Sequence, residues 1–244
     1  MPAPIYAIGD IHGQLEELQR VLDLIEADGG PVANVVFLGD YTDRGAQSRA
    51  VIDVLIDGLA MGRNWHMIKG NHDRMFSWFM RDYPQHEAYL PVEIYWLHAR
   101  LGGDTTLASY GVEFTEKSRM LDVHAQARSL VPQSHIDFLN NLQLSYETDD
   151  LFFVHAGIKP GVPLAEQDEE DLLWIRKEFH EDTRQHPKLI VHGHTPVAEP
   201  MHYGNRINLD AGAGYGKPLG VAVFEGTQCW LLTKQGRVAL APDT

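Results

Sequence analysis

The chain has 244 residues, 44% of them hydrophobic, which is enough to bury a substantial core in one large domain and too apolar for a disordered chain. A formal net charge of -14 makes nucleic acid and anionic membranes unfavourable as general partners. No apolar run is long enough to cross a bilayer, the opening Met-Pro-Ala-Pro lacks the basic stretch of a signal peptide, and Cys229, the only cysteine, rules out an internal disulfide. Together these features predict a cytosolic protein. The same charge would repel a phosphorylated substrate at long range, so such a substrate needs local positive charge, from metal cations or a few arginines.

In chain order, short apolar runs that read as buried strands each end in Gly with Asp, Asn or His. Ile5 to Ile8 leads into Gly9-Asp10-Ile11-His12-Gly13, and Leu15, Leu18, Leu22 and Ile25 then fall on one face of a helix. Val35 to Leu38 leads into Gly39-Asp40-Tyr41-Thr42-Asp43-Arg44-Gly45, followed by a helical face of Val51, Leu55 and Leu59. Trp65 to Ile68 leads into Lys69-Gly70-Asn71-His72-Asp73. From Arg74 to Pro132 the pattern changes. Trp78, Tyr83, Tyr89, Tyr95 and Trp96, with a break at Gly102-Gly103, predict a mostly helical region whose aromatic residues belong more to core than to a substrate groove. Leu151 to Val154 then leads into His155-Ala156-Gly157, and Leu189 to Val191 into His192-Gly193-His194-Thr195-Pro196. Three last runs, Ile207 to Leu209, Val221 to Phe224 and Trp230 to Leu232, read as an antiparallel meander. No Pro/Gly/Ser-rich linker divides residues 1–244, so one α/β domain is expected, its ligands beyond the carboxyl ends of the strands.

Asp and His supply oxygen and nitrogen donors that suit divalent manganese, iron or zinc, and none of the clusters holds a thiolate of the kind a structural zinc site uses. Asp10 and His12 are two residues apart, the spacing at which strand side chains share a side. Asp40 has two oxygens with which to bridge two metals, Asn71 offers a neutral carbonyl oxygen, and His155 and His194 offer imidazole nitrogens. Each cluster alone reads as an ordinary turn. Five in order, each ending a predicted strand, do not.

Together Gly9-Asp10-Ile11-His12-Gly13, Gly39-Asp40-Tyr41-Thr42-Asp43-Arg44-Gly45, Gly70-Asn71-His72-Asp73, His155-Ala156-Gly157 and Gly193-His194-Thr195 resemble the motif set of the calcineurin-like metallophosphoesterases. More narrowly they resemble the phosphoprotein phosphatase family in its small bacterial and phage form. The resemblance implies a four-layer α/β/β/α sandwich and two divalent ions, manganese first, with iron or zinc as alternatives. It implies a first metal on Asp10, His12 and Asp40, and a second on Asp40, Asn71, His155 and His194, with a bridging hydroxide that attacks phosphorus in line. Arg44, Arg176 and Asn71 would bind the phosphoryl oxygens. His72, paired with Asp43, would protonate the leaving group.

The activity implied is that of a serine/threonine protein phosphatase acting on a phosphoprotein or small phosphoester. A symmetrical dinucleoside tetraphosphatase shares several of these motifs but tends to carry Ala where this chain has Asp43. A non-catalytic metal-binding protein is a third reading, opposed by the intact Arg44 and His72. Thr42, in place of the usual Val, and Asp73, in place of the eukaryotic Glu, are mild departures. His66, His86, His98, His124, His135, His180, His186 and His202 are expected at the surface or in local hydrogen bonds, and His192 no nearer than behind the ligands. The sequence leaves the oligomeric state open.

Overall fold

A computed structural model describes residues 3–115 and 117–242. The chain alternates strand and helix at first: β1 (Ile5–Ile8), α1 (Leu15–Gly29), β2 (Asn34–Phe37), α2 (Ser48–Ala60), β3 (Trp65–Met67) and α3 (Asn71–Phe79). An irregular stretch follows, then α4 (Gly103–Ser109), α5 (Met120–Leu130) and α6 (Gln133–Asn140). The second half holds β4 (Ser145–Glu147), β5 (Leu151–Val154), α7 (Glu169–Trp174), α8 (Lys177–His180), β6 (Leu189–His192), β7 (Met201–His202), β8 (Arg206–Asn208), β9 (Val221–Glu225), β10 (Gln228–Thr233) and β11 (Gly236–Ala239).

Two sheets form, ordered β11-β10-β9-β1-β2-β3 and β4-β5-β6-β8-β7. In the first, β1, β2 and β3 are parallel; in the second, β5, β6 and β8 are. Side chains alternate across a strand, and here the alternation sorts them between three cores. Tyr6, Ile8, Val35 and Phe37 face the first core, with Leu18, Val21 and Ile25 of α1 and Val51, Ile52 and Leu55 of α2. Ala7, Val36 and Leu38 face the other way, against Leu151, Phe153, Val191 and Ile207 of the second sheet. Phe152, Val154 and Ile190 then meet Leu172, Ile175 and Phe179 on the far side. Three cores between four layers are the expected α/β/β/α sandwich. A strand such as β5, buried on both faces, must be apolar throughout, as Leu-Phe-Phe-Val is.

The structure differs from the sequence reading in three places. Leu59 points to solvent, and Ile52 takes its place on the buried face of α2. Residues 81–102 are turns and bends rather than helix, and they divide the aromatic set: Trp96 is buried while Tyr83, Tyr89 and Tyr95 are exposed. The run at Ile207 pairs in parallel with β6 in the second sheet, so only β9, β10 and β11 form a meander. His124, His135 and His202 are buried but hydrogen-bonded, one of the two placements expected of them; His135 bonds the Tyr110 hydroxyl at 2.8 Å and Asp53 at 3.0 Å, inside the helical layer.

Gly58 shows how tightly that layer sits on its sheet: a Cβ there would come within 1.8 Å of the Trp65 ring. Alanine normally favours a helix over glycine by about 1 kcal/mol. At this position overpacking reverses the sign, and Gly58→Ala is expected to destabilise by about 1–3 kcal/mol. Thermal unfolding of the variant checks this; an unchanged or raised Tm would show that the contact yields.

Candidate active site

The parallel strands deliver their following loops to one edge, where the two sheets meet. Asp40, after β2, is the centre. Its Oδ2 lies 3.4 Å from His12 Nε2 and 4.0 Å from His72 Nε2, and its Oδ1 lies 3.5 Å from His155 Nε2. Two groups of buried donors share it: His12, Asp40 and His72, and Asp40, His155 and His194. Asn71 Oδ1 is 2.9 Å from both His155 Nε2 and His194 Nδ1. Asp10 is tied to the second group, since its carboxylate accepts the His194 backbone N–H at 3.0 and 3.2 Å.

This arrangement fits metal ions because lone pairs face one another without protons between them. His12 Nδ1 donates to the Thr42 carbonyl at 2.8 Å and His155 Nδ1 to the Leu38 carbonyl at 2.8 Å. Each ring therefore turns a bare Nε2 toward the Asp40 carboxylate, and such carbonyl partners are what orient histidine ligands. Acceptor facing acceptor in a buried site is unfavourable unless a cation lies between. Burial drives His12, His155 and His194 well toward their neutral, ligand-competent forms; Arg44 adds to this at His12, and His155 at His194. Burial alone would raise the Asp40 carboxyl; only positive charge facing it, on the rings of His155, His72 and His12 when protonated and on Arg44, holds the group far below the usual carboxylate range, and where the rings are neutral a metal cation would supply that charge. Asp10 is pushed the other way, by burial and then by its neighbours Asp210 and Asp40.

The backbone is bent to make this possible. The non-glycine residues with positive φ among those described are His12 (48°), Asp40 (52°), Asp43 (72°), Arg44 (65°) and His194 (67°), all of them sequence-predicted site residues. Strain of this kind gathers at functional sites. It also revises the reading of Asp10 and His12: the strand ends at Ile8, and a left-handed turn, not strand alternation, aims the imidazole. Two glycines give the donors room, since a Cβ at Gly193 would lie 2.0 Å from Asp10 Oδ1 and one at Gly70 would lie 2.1 Å from Asp40 Oδ1.

The remaining predicted residues arrive at the same place. His72 Nδ1 donates to Asp43 Oδ2 at 2.6 Å. Arg44 bonds His12 Nε2, reaches His72 Nε2 at 3.2 Å, and lies 4.8 Å from the centre of the exposed Tyr215 ring. Arg176, between α7 and α8, donates from Nε to His194 Nε2 at 3.0 Å. His192 is fully buried against Phe179 and His180, behind the donors.

Two acids were missed. Asp73 Oδ2 accepts the N–H groups of Gly70 and Asp40, both at 2.8 Å, and Oδ1 that of Tyr41 at 3.0 Å, so it ties the second and third loops together. Its position three residues into a helix after Gly70 is a capping signal visible in the sequence. Asp210, buried and raised to about 6 mainly by that burial, sits beside Asp10 and Asp40. The run Ile207 to Leu209 followed by Asp210-Ala211-Gly212 repeats the strand-then-Asp-Gly pattern of the other clusters and should have been counted with them.

A four-layer sandwich with two adjoining His/Asp donor groups at its strand ends, and two arginines on histidines of those groups, is the arrangement of a metallophosphoesterase. The calcineurin-like phosphoesterase family model matches residues 3–222, and the chain belongs to that family. It is 28% identical over 235 residues to a Bacillus thuringiensis (strain Al Hakam) protein named asymmetrical bis(5'-nucleosyl)-tetraphosphatase PrpE, covering 86% of this chain and 85% of that one. Among solved structures it resembles a cold-active protein-tyrosine phosphatase of a psychrophilic Shewanella species (TM-score 0.65, 17% identity, 99% of this chain and 83% of that one). It also resembles a putative diadenosine tetraphosphatase (TM-score 0.62, 20% identity, 94% and 92%). Among the described residues no helix is long and apolar enough to cross a membrane.

Because Asp40 belongs to both donor groups, Asp40→Asn should weaken both metals rather than one. Calorimetric titration with manganese is expected to give two equivalents for the native chain and fewer than one for the variant. Manganese at a hundredfold excess over Kd should stabilise the native chain by about 2.7 kcal/mol for each occupied site, a shift the variant loses. Full binding by Asp40→Asn would overturn the shared position.

Proposed function

We propose that this enzyme is a phosphomonoesterase of the cytosol, acting as a serine/threonine protein phosphatase, with manganese as its metal and iron or zinc as alternatives. The observation that carries the reading is the buried Asp43–His72 pair, 2.6 Å apart, with His72 Nε2 turned toward Arg44 at the metal donors. Asp10, His12, Asp40, Asn71, His155 and His194 would hold two ions. When bound, such ions polarise a phosphoryl oxygen and make water nucleophilic near neutral pH.

The rest falls to the chain's own side chains. Arg44 and Arg176 stand at the two donor groups, each already placed on a ligand histidine, and their guanidinium forks suit phosphoryl oxygens. Asn71 turns Oδ1 to His155 and His194, which leaves its amide N–H groups free to donate to the phosphate. Asp43 fixes His72 with its proton on Nδ1, so Nε2 is the atom that carries a proton to the leaving oxygen as its bond to phosphorus breaks. A serine or threonine alkoxide needs that proton far more than a polyphosphate does, and this favours the monoester.

A second reading rests on the relative from Bacillus thuringiensis, whose name favours a dinucleoside tetraphosphate cleaved asymmetrically. The symmetrical form of that reaction draws no support from it. Rates measured side by side on a phosphoserine peptide, diadenosine tetraphosphate and bis-p-nitrophenyl phosphate, with manganese present, separate the readings. The phosphopeptide should be fastest; the tetraphosphate in first place would establish the second reading, and no turnover of any of the three with any divalent metal would sink both. His72→Asn is expected to lower turnover of the phosphopeptide by about 10²–10⁴-fold with metal content unchanged.

A further inference from the structure

The irregular stretch 81–102 and the start of α4 are not used by the metal donors, yet two of their side chains end on Asp43. Trp96 Nε1 donates to Asp43 Oδ2 at 2.8 Å, the same oxygen that accepts from His72. The Thr106 hydroxyl donates to Asp43 Oδ1 at 2.7 Å and accepts the Asp43 backbone N–H at 2.8 Å. The carboxylate is fully buried, and all three donors that hold it come from outside its own loop.

These contacts are built in. Trp96 is stacked on Phe76 at 5.0 Å and 17° and packs against Phe79 at 4.9 Å, so the indole cannot swing away. The Gly102-Gly103 pair that reads as a break in the sequence is what admits α4. A Cβ at Gly103 would lie 2.6 Å from the Trp96 ring, and one at Gly102 would lie 2.2 Å from the Arg44 backbone nitrogen. The Gly102 carbonyl also accepts the Arg44 N–H at 3.3 Å. The segment thus grips the strained turn at Asp43 and Arg44 from above, through one indole, one hydroxyl and one carbonyl.

We propose that Trp96 and Thr106 are positioning residues for proton delivery: by fixing both carboxylate oxygens of Asp43 they hold the His72 ring in line with the leaving group. This rests on the reading of His72 as the acid. Without them the carboxylate is free to rotate within its turn, and His72 loses a fixed direction while the metal donors keep theirs. The defect should then scale with how badly a leaving group needs a proton. A nitrophenolate departs without one; a serine alkoxide does not.

Trp96→Phe keeps the stacked ring and removes only the N–H; Thr106→Val removes only the hydroxyl, and Thr106→Ser restores it. Each is assayed as the manganese-loaded full chain on p-nitrophenyl phosphate and on a phosphoserine peptide. For Trp96→Phe and Thr106→Val, kcat on the peptide should fall about tenfold further than kcat on the nitrophenyl ester, with KM and metal content unchanged and Thr106→Ser close to native. Combined with His72→Asn, neither should slow the peptide reaction further. An equal fall on both substrates, or additive losses in the His72→Asn background, would overturn the proposal. If His72→Asn itself shows no greater loss on the peptide than on the nitrophenyl ester, the acid reading fails instead. Should Trp96→Phe not fold, the Thr106→Val and Thr106→Ser pair decides alone.

Discussion

The structure depends on the Asp40 carboxylate and on what surrounds it. One buried side chain faces the ring nitrogens of His12, His72 and His155. Each positive-φ residue at this edge costs about 1–3 kcal/mol, and such strain persists only where the backbone is over-determined. Here it is: the Asp40 carbonyl accepts from Ile11 and His12, the Tyr41 carbonyl from Gly13, and Asp73 takes the amides of Gly70, Asp40 and Tyr41. Three separate loops are thus bonded into one ring around Asp40. Shifting any one of them moves donors on the others, so the site behaves as a unit.

Charge is arranged on two scales. The chain as a whole is strongly acidic, yet its site places Arg44 and Arg176 against His12 and His194. Burial keeps those imidazoles neutral, so the positive field there comes from guanidinium groups and from whatever cations bind. Long-range repulsion of an anionic substrate and short-range capture are therefore separable, and only the second depends on these few residues.

Much of this was legible in the chain because parallel strands write a plain pattern: a short apolar run, then the residues of the edge loop. That pattern located Asp10, Asp40, Asn71, His155 and His194, and the alternation of strand and helix gave the layers. Asp210 was missed although it follows the same rule, because an isolated Asp-Ala-Gly carries no partner histidine to draw notice. Strand order was less legible. The run at Ile207 looks like the neighbour of Val221 in sequence, but the chain crosses from one sheet to the other between them, and nothing local records the crossing. Leu59 failed for the ordinary reason that a helix end can carry an apolar residue to solvent at little cost.

The middle segment was illegible for a different reason, and its irregularity follows from what it holds. Trp96, the Gly102 carbonyl and Thr106 all bond the single turn at Asp43 and Arg44. A continuous helix from 96 to 106 would be about 15 Å long and would spread those groups over nearly three turns. To bring them to one point the chain must fold back, and the left-handed Gly102 is where it does so. Periodicity cannot foresee such a fold, because the positions are chosen by the turn they clasp and not by a face they share. The strands thus place the donors, and an aperiodic excursion places the Asp43–His72 pair beside them.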